Sequence, residues 1–211
     1  MRNSGLVFLF VLLFFVDSQA GETLQISSRL SLHYDLPNGW VSAAEPPQFL
    51  VDEMAEHMEH EAAAKGRHPN RKQLESAARK RYSENEVLLY NPQSYAHMSL
   101  DFSQLRQGEK PPSRDTIKLS TRYAAESLRN EEGVTDLRST DTPIEISGAW
   151  YAHRFDSHYK HHDKTMDFIG VVGFSSSYWF YFYFTDFERD EQDRKRAETF
   201  LSTIRIDTAP Q

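Results

Sequence analysis

Alternation of apolar and polar residues predicts several β-strands along the chain. The clearest example is segment 95–102, where Ala96, Met98, Leu100 and Phe102 share one parity and mostly polar residues take the other. Segments 24–34, 85–90, 144–155, 166–174 and 178–186 are also predicted as strands.

Two of these strands have a composition that places them inside a sheet. Segment 166–174 is apolar on both parities, which is typical of a central strand covered on each side. Segment 178–184 is wholly aromatic, and from Trp179 onward phenylalanine occupies one parity while Trp179, Tyr181 and Tyr183 take the other. The phenylalanine face is expected to lie under a helix. The other face either pairs across strands or offers a platform for stacking on sugar or peptide.

Helical spacing predicts four helices, near 46–65, 70–82, 113–130 and 188–203. In the first, Leu50, Met54 and Met58 recur every fourth residue. Asn70 and Ser113 are suitable N-caps for the second and third, with Gln73 placed to complete a capping box after Asn70. The pattern predicts an α+β fold in which an antiparallel sheet is flanked by helices, in an α/β/α layered arrangement.

The first two helices carry opposite charge and are predicted to form a helical hairpin at about 46–82. Six acidic residues and no lysine or arginine lie between 45 and 61, whereas segment 65–81 contains seven basic residues against Glu75. The two faces either complement each other within the hairpin or provide a docking surface for a charged partner.

The N-terminus has the features of a secretory signal peptide over residues 1–20. Arg2 precedes an apolar run at 6–16, and Ser18, Gln19 and Ala20 fit the cleavage pattern. The apolar run is much shorter than the ~20 residues that a membrane-spanning helix needs. We therefore expect residues 21–211 to form a single periplasmic or secreted α+β domain, with no stable membrane span after cleavage.

Composition narrows the possible chemistry. The 211 residues include 31 acidic and 24 basic side chains, so the net charge of −7 disfavours binding to nucleic acid or to an anionic membrane. The absence of cysteine excludes disulfides, thiolate catalysis and thiolate metal sites.

Two catalytic motifs are present only in part. His60 and Glu61 start a zinc-protease motif, but Ala64 stands where the second histidine is required. Gly173 and Ser175 start a nucleophile elbow that has no closing glycine. The sequence therefore favours a non-enzymatic protein.

Two groups of histidines are candidate metal ligands. His158, His161, His162 and Asp163 fall in the connection between two predicted strands, and this composition suits Zn²⁺ or Cu²⁺. The alternative is a solvated tip that gains positive charge below pH ~6.5. On the first helix, His57 and His60 are spaced to share one face with neighbouring glutamates, either as a second metal site or as the border of the apolar stripe. No other cofactor is expected.

The chain resembles the PsbP-like superfamily, which includes photosystem extrinsic subunits, Mog-type Ran-binding proteins and small bacterial envelope proteins. The resemblance rests on the turn at 36–40 (Leu-Pro-Asn-Gly-Trp), the hairpin at 87–102, Trp150, Gly170 with segment 178–184, and the closing helix that ends at 200–205. It extends over about 24–206. It implies an antiparallel sheet held between helices, and members that are mostly interaction or assembly modules rather than enzymes. The helical pair at 46–82 is longer than is usual in the family at this point.

The leading functional hypothesis is a non-enzymatic envelope protein that binds a protein partner through its sheet face or its helical hairpin. A periplasmic metal-binding protein that uses the histidine-rich connection is the first alternative. A hydrolase of unknown substrate is the second.

Overall fold

The computed structural model describes residues 21–131, 133–162, 164–187 and 189–208, so the predicted signal peptide lies outside the described residues. The strands are β1 (Glu22–Ser27), β2 (Leu30–Tyr34), β3 (Val41–Ser42), β4 (Val87–Tyr90), β5 (His97–Gln104), β6 (Val134–Ile144), β7 (Tyr151–His161), β8 (Lys164–Ser175), β9 (Tyr178–Asp186) and β10 (Arg205–Thr208). The helices are α1 (Gln48–Ala64), α2 (Arg71–Tyr82), α3 (Arg114–Ser127) and α4 (Glu191–Thr203), and a short 3-10 helix, Leu128–Asn130, follows α3.

Antiparallel pairing organises the strands into two sheets. Within the described ranges, the larger sheet has seven strands in the order β3-β4-β5-β9-β8-β7-β6, and the smaller has three in the order β1-β2-β10. The predicted α+β class with an antiparallel sheet is confirmed. β8 lies inside the larger sheet and is buried over nearly its whole length, as the two-sided apolar pattern of 166–174 predicted.

One face of the larger sheet is covered by the smaller sheet and by α4. Phe180, Phe182 and Phe184 point to this side, where they share a core with apolar residues of β2, β10 and α4. The rings of Phe182 and Phe200 of α4 stack with centroids 5.8 Å apart. The predicted contact between the phenylalanine face and a helix is therefore confirmed.

The opposite face is covered by α3. Ala125 and Leu128 pack against Phe155 and Tyr159 of β7, and Ile117 packs against β8. The hydroxyl of Ser113 accepts a hydrogen bond from the backbone N–H of Thr116 and caps the helix, as its sequence position predicted. With α4 on one side and α3 on the other, the arrangement is layered as expected.

Helices α1 and α2 pack on each other through Val51, Ala55, Leu74 and Ala78. The predicted capping box at Asn70 and Gln73 begins α2. This pair of helices gives the chain its charged hairpin outside the two sheets.

The C-terminal strands differ from the prediction in two ways. Segment 144–155 was expected to be one strand, but Ile144 ends β6 and β7 begins only at Tyr151. Gly148 turns the chain with a φ of 79° where its backbone meets Ile206 so closely that no Cβ atom fits, and Ile206 donates a hydrogen bond to the Ser147 carbonyl. Most of β6 was not predicted because this edge strand is largely exposed and polar and shows no apolar alternation.

The expected histidine-rich loop was also wrong in extent. Strand β7 continues through His161 and β8 starts at Lys164, so cross-strand pairs run to the end of the hairpin. His158 therefore lies within a strand rather than at a loop tip.

Candidate functional site

His158 belongs to a network of charges beside α4. Its Nδ1 atom lies 2.5 Å from Oδ1 of Asp167 on the neighbouring strand, and Arg189 Nε lies 3.1 Å from the same oxygen. Because Asp167 is nearly buried, its carboxylate requires such partners. His158 is thus held on the α4 side of the sheet.

His162 occupies the β7–β8 turn and has a fixed backbone. Its φ of 52° is left-handed, and its N–H donates a 2.9 Å hydrogen bond to the carbonyl of Gly133. The imidazole lies directly over Gly133, where a Cβ atom would come within 2.6 Å of the ring. The ring centroid of His161 lies 4.6 Å from that of His162. Asp163 lies outside the described residues.

One histidine from each of the two separately predicted groups lies close to the other, at the contact between α1 and the β7–β8 turn. His60 of α1 and His162 of the turn have ring centroids 6.1 Å apart and planes at 88°. His57, one turn earlier on α1, has its Nε2 atom 3.5 Å from Oε1 of Glu61. The long sequence separation between His60 and His162 gave no signal of this proximity.

As the side chains lie, no group of three or more histidine, aspartate or glutamate residues within the described part of the chain has the geometry to hold a metal ion. The predicted set of His158, His161, His162 and Asp163 is divided, since His158 pairs with Asp167. Metal binding there stays a prediction.

Acidic groups surround the contact between α1 and the β7–β8 hairpin. Burial raises the pKa of Glu53 to about 7, although the positive charge of Lys164 opposes this shift. Burial also raises the pKa of Glu131, with His57 and Arg81 acting in the opposite direction. Carboxyl groups are therefore numerous where the helical hairpin approaches the sheet.

The basic segment around α2 is exposed, although part of it is neutralised by α1. Arg71 forms ion pairs with Asp52 at 2.6 Å and with Glu75 at 2.9 Å, and Lys65 pairs with Glu61. The arginine–aspartate pair joins the two helices, as the complementary-hairpin interpretation expects.

Other basic residues of α2 point outward. Lys72, Ser76 and Lys80 follow one another at intervals of four and share a shallow surface with Gln73. Arg79 beside them donates a hydrogen bond to the side chain of Gln48. We call Lys72, Gln73, Ser76, Arg79 and Lys80 the α2 basic face; all five are exposed.

The tyrosine face of β9 is half-buried rather than open. Trp179 and Tyr181 stack nearly parallel, at 9°, with centroids 6.4 Å apart. Asp101 lies across from Tyr181 in the sheet and forms a hydrogen bond with Glu86. Burial and this bond raise the pKa of Glu86 to about 7. Glu86 and Asp101 therefore form an acidic pair beside Tyr181.

Among the described residues, no helix is long and apolar enough to cross a membrane. No family model matches the chain, and no curated protein matches its sequence.

Solved structures share the fold, among them two that match about nine-tenths of the chain. The solution structure of cyanobacterial PsbP (CyanoP) from Synechocystis sp. PCC 6803 matches 92% of this chain and 96% of its own, with a TM-score of 0.51 and 11% identity. The crystal structure of LpqN, which is involved in cell envelope biogenesis of Mycobacterium tuberculosis, matches 89% of this chain and 91% of its own, with a TM-score of 0.53 and 9% identity. The PsbP-like fold that the sequence indicated is confirmed.

Proposed function

We propose that this protein is a non-enzymatic interaction module of the cell envelope, and that the α2 basic face binds an acidic patch on a partner protein. Three cations, Lys72, Arg79 and Lys80, lie on this surface. Among the described residues, none of the three has a carboxylate oxygen within 4.0 Å. Arg79 acts electrostatically on Asp52 of α1, so its charge is partly compensated. The exposure of all three cations on one helix face is the observation that carries the proposal.

The helical hairpin is a better docking site than the faces of the large sheet. One face lies under α4 and the small sheet, while α3 covers much of the other. The α2 basic face, in contrast, remains exposed. A partner can reach it without rearrangement of the core.

The charge of the whole chain favours a protein over a polyanion as the partner. At distances longer than one helix face, the net charge of −7 of the whole chain repels nucleic acid and anionic membranes. Lys72 and Lys80 are about 12 Å apart along the helix axis, which suits a local acidic patch. Complementary patches of this kind chiefly accelerate association and select the partner.

An envelope location has two supports. The N-terminal segment has the pattern of an export signal. The fold is shared with LpqN, which is involved in cell envelope biogenesis.

Site-specific photo-crosslinking in the source cell tests the proposal. A photoreactive residue replaces Ser76 in one variant and the exposed Ser202 of α4 in another. We expect a discrete protein adduct from position 76 only, identified by mass spectrometry and assayed again with the purified partner. With the purified partner, the yield of the adduct should fall at ~0.5 M salt, where the Debye length is about 4 Å.

Charge reversal provides the matched comparison. Lys72→Glu with Lys80→Glu should abolish the adduct, while Lys110→Glu with Lys118→Glu should retain it at unchanged thermal stability. An adduct that survives the first pair, or that contains only lipid or nucleic acid, would overturn the proposal.

A further inference from the structure

We propose that His60, His161 and His162 form a binding site for a late first-row transition-metal dication, Zn²⁺, Cu²⁺ or Ni²⁺, between α1 and the β7–β8 turn. The site differs from the set that the sequence indicated because it excludes His158 and takes a ligand from a distant helix. It is independent of the α2 basic face.

The spacing of the imidazoles suits a shared metal. Two imidazole nitrogens at 2.0–2.1 Å from a tetrahedral ion put their ring centroids about 5 Å apart. The observed separations, 4.6 Å for His161 and His162 and 6.1 Å for His60 and His162, lie on either side of that value. Because no three donors converge among the described residues as their side chains lie, binding requires side-chain rotation of His60 and His161.

His162 is the preorganised member of the set. Its left-handed backbone, its hydrogen bond to Gly133 and the packing of its ring over Gly133 hold the imidazole at the hairpin end. The turn is also short, since β7 ends at His161 and β8 begins at Lys164. A ligand held in this way loses little conformational freedom when a metal binds.

The surrounding charges also favour a cation. Lys160, one of the two lysines in this hairpin, is paired with Asp136 at 3.0 Å, and Lys164 is close enough to Glu53 to influence its ionisation. The α1 helix contributes further carboxylates, including Glu56 and Glu61. Part of the positive charge of the hairpin is therefore offset before a dication arrives.

The ligand type decides the class of metal. Neutral imidazole nitrogen suits zinc, copper and nickel, whereas calcium and magnesium prefer oxygen ligands. Binding would tie the helical hairpin to the sheet and raise the apparent stability of the folded chain by mass action.

Isothermal titration calorimetry of the protein with ZnCl₂ and with CuCl₂ tests the site. We expect one equivalent to bind with a Kd of about 10 µM or tighter at neutral pH. His60→Ala and His162→Asn should each weaken binding at least ~10-fold, and asparagine at 162 tolerates the left-handed backbone. His158→Ala and His68→Ala should leave binding unchanged.

A second readout reports the ligands directly. The electron paramagnetic resonance spectrum of the Cu²⁺-loaded protein should show nitrogen coupling that decreases in His60→Ala. Loss of binding in His158→Ala with retention in His60→Ala would overturn the inference, as would a Kd weaker than about 100 µM in the folded wild-type protein.

Discussion

The ring of Phe155 occupies the space above its cross-strand neighbour Gly170, where a Cβ atom would come within 2.1 Å of the ring atom Cε1. Gly173 has the same relationship with Phe180, whose Cζ atom would lie 2.1 Å from an added Cβ. The two glycines have opposite parity, so each face of β8 receives one aromatic ring. Both layers can therefore pack closely against the strand.

We expect Gly170→Ala to lower the free energy of unfolding by about 1–3 kcal/mol because the added methyl group overlaps the Phe155 ring. Urea denaturation followed by circular dichroism measures the change. Phe155→Leu should relieve part of the overlap, so that the double variant is more stable than the sum of the single changes by at least ~0.5 kcal/mol. Gly173→Ala combined with Phe155→Leu should be additive. An equal cost of Gly170→Ala in both backgrounds would contradict the packing argument.

The buried His153 depends on Asp141 of β6. Its Nε2 atom lies 2.8 Å from Asp141 Oδ2, and its side chain is only 3% exposed. Asp141→Ala should destabilise the protein by about 1–3 kcal/mol, because a buried imidazole nitrogen loses its partner. Chemical denaturation of this variant is compared with that of Asp136→Ala and Arg122→Ala, which alter exposed pairs and should each cost about 0–1 kcal/mol. Equal effects of all three would refute a special role for the buried contact.

Arg154 and Glu198 connect β7 to α4 through two hydrogen bonds of 2.7 Å. The bond to Arg154 lowers the pKa of Glu198, so the pair stabilises the fold above the ordinary glutamate pKa of ~4.3 and loses this effect as pH falls further. Because Glu198 is 43% exposed, solvent screening limits the contribution to about 1 kcal/mol.

Glu198→Gln should therefore lower the unfolding free energy at pH ~7 and have a smaller effect near pH ~3. Thermal unfolding across this range measures the difference. Glu191→Gln on the same helix is the control, because Glu191 pairs with Lys195, whose side chain is 71% exposed. A Glu198→Gln effect that does not change with pH would count against the assignment.

The contribution of Glu53 to folding stability depends on pH in the opposite direction. Burial raises its pKa in the folded state to about 7, so the folded chain holds this proton more tightly than the unfolded chain does. Wild-type stability should therefore decrease as pH rises from ~4.3 to about 7 and then level off with respect to this group.

Glu53→Gln should remove that decrease and make the protein more stable than wild type at pH ~8, by about 1–3 kcal/mol, with little difference near pH ~4. Denaturant titrations at both pH values measure this. The exposed Glu56→Gln on the same helix should leave the pH profile unchanged. A Glu53→Gln variant with the wild-type profile would show that the carboxyl group is not desolvated.

Local sequence was sufficient for elements whose signal is contained within the element. The capping box at Asn70, the burial of β8 and the phenylalanine face of β9 all follow from spacing along a few residues. Exposed polar strands lack such a signal, which is why β6 was missed and why the histidine-rich connection was predicted as a loop.

By itself the sequence determined the mixed α and β class and the position of β8 inside a sheet, because alternation and helical periodicity record which side of an element meets the core. Only the tertiary structure decided that His158 faces Asp167 while His162 faces His60. Strand parity and turn conformation send neighbouring side chains to different faces, and a contact between residues about a hundred positions apart depends on how whole elements pack.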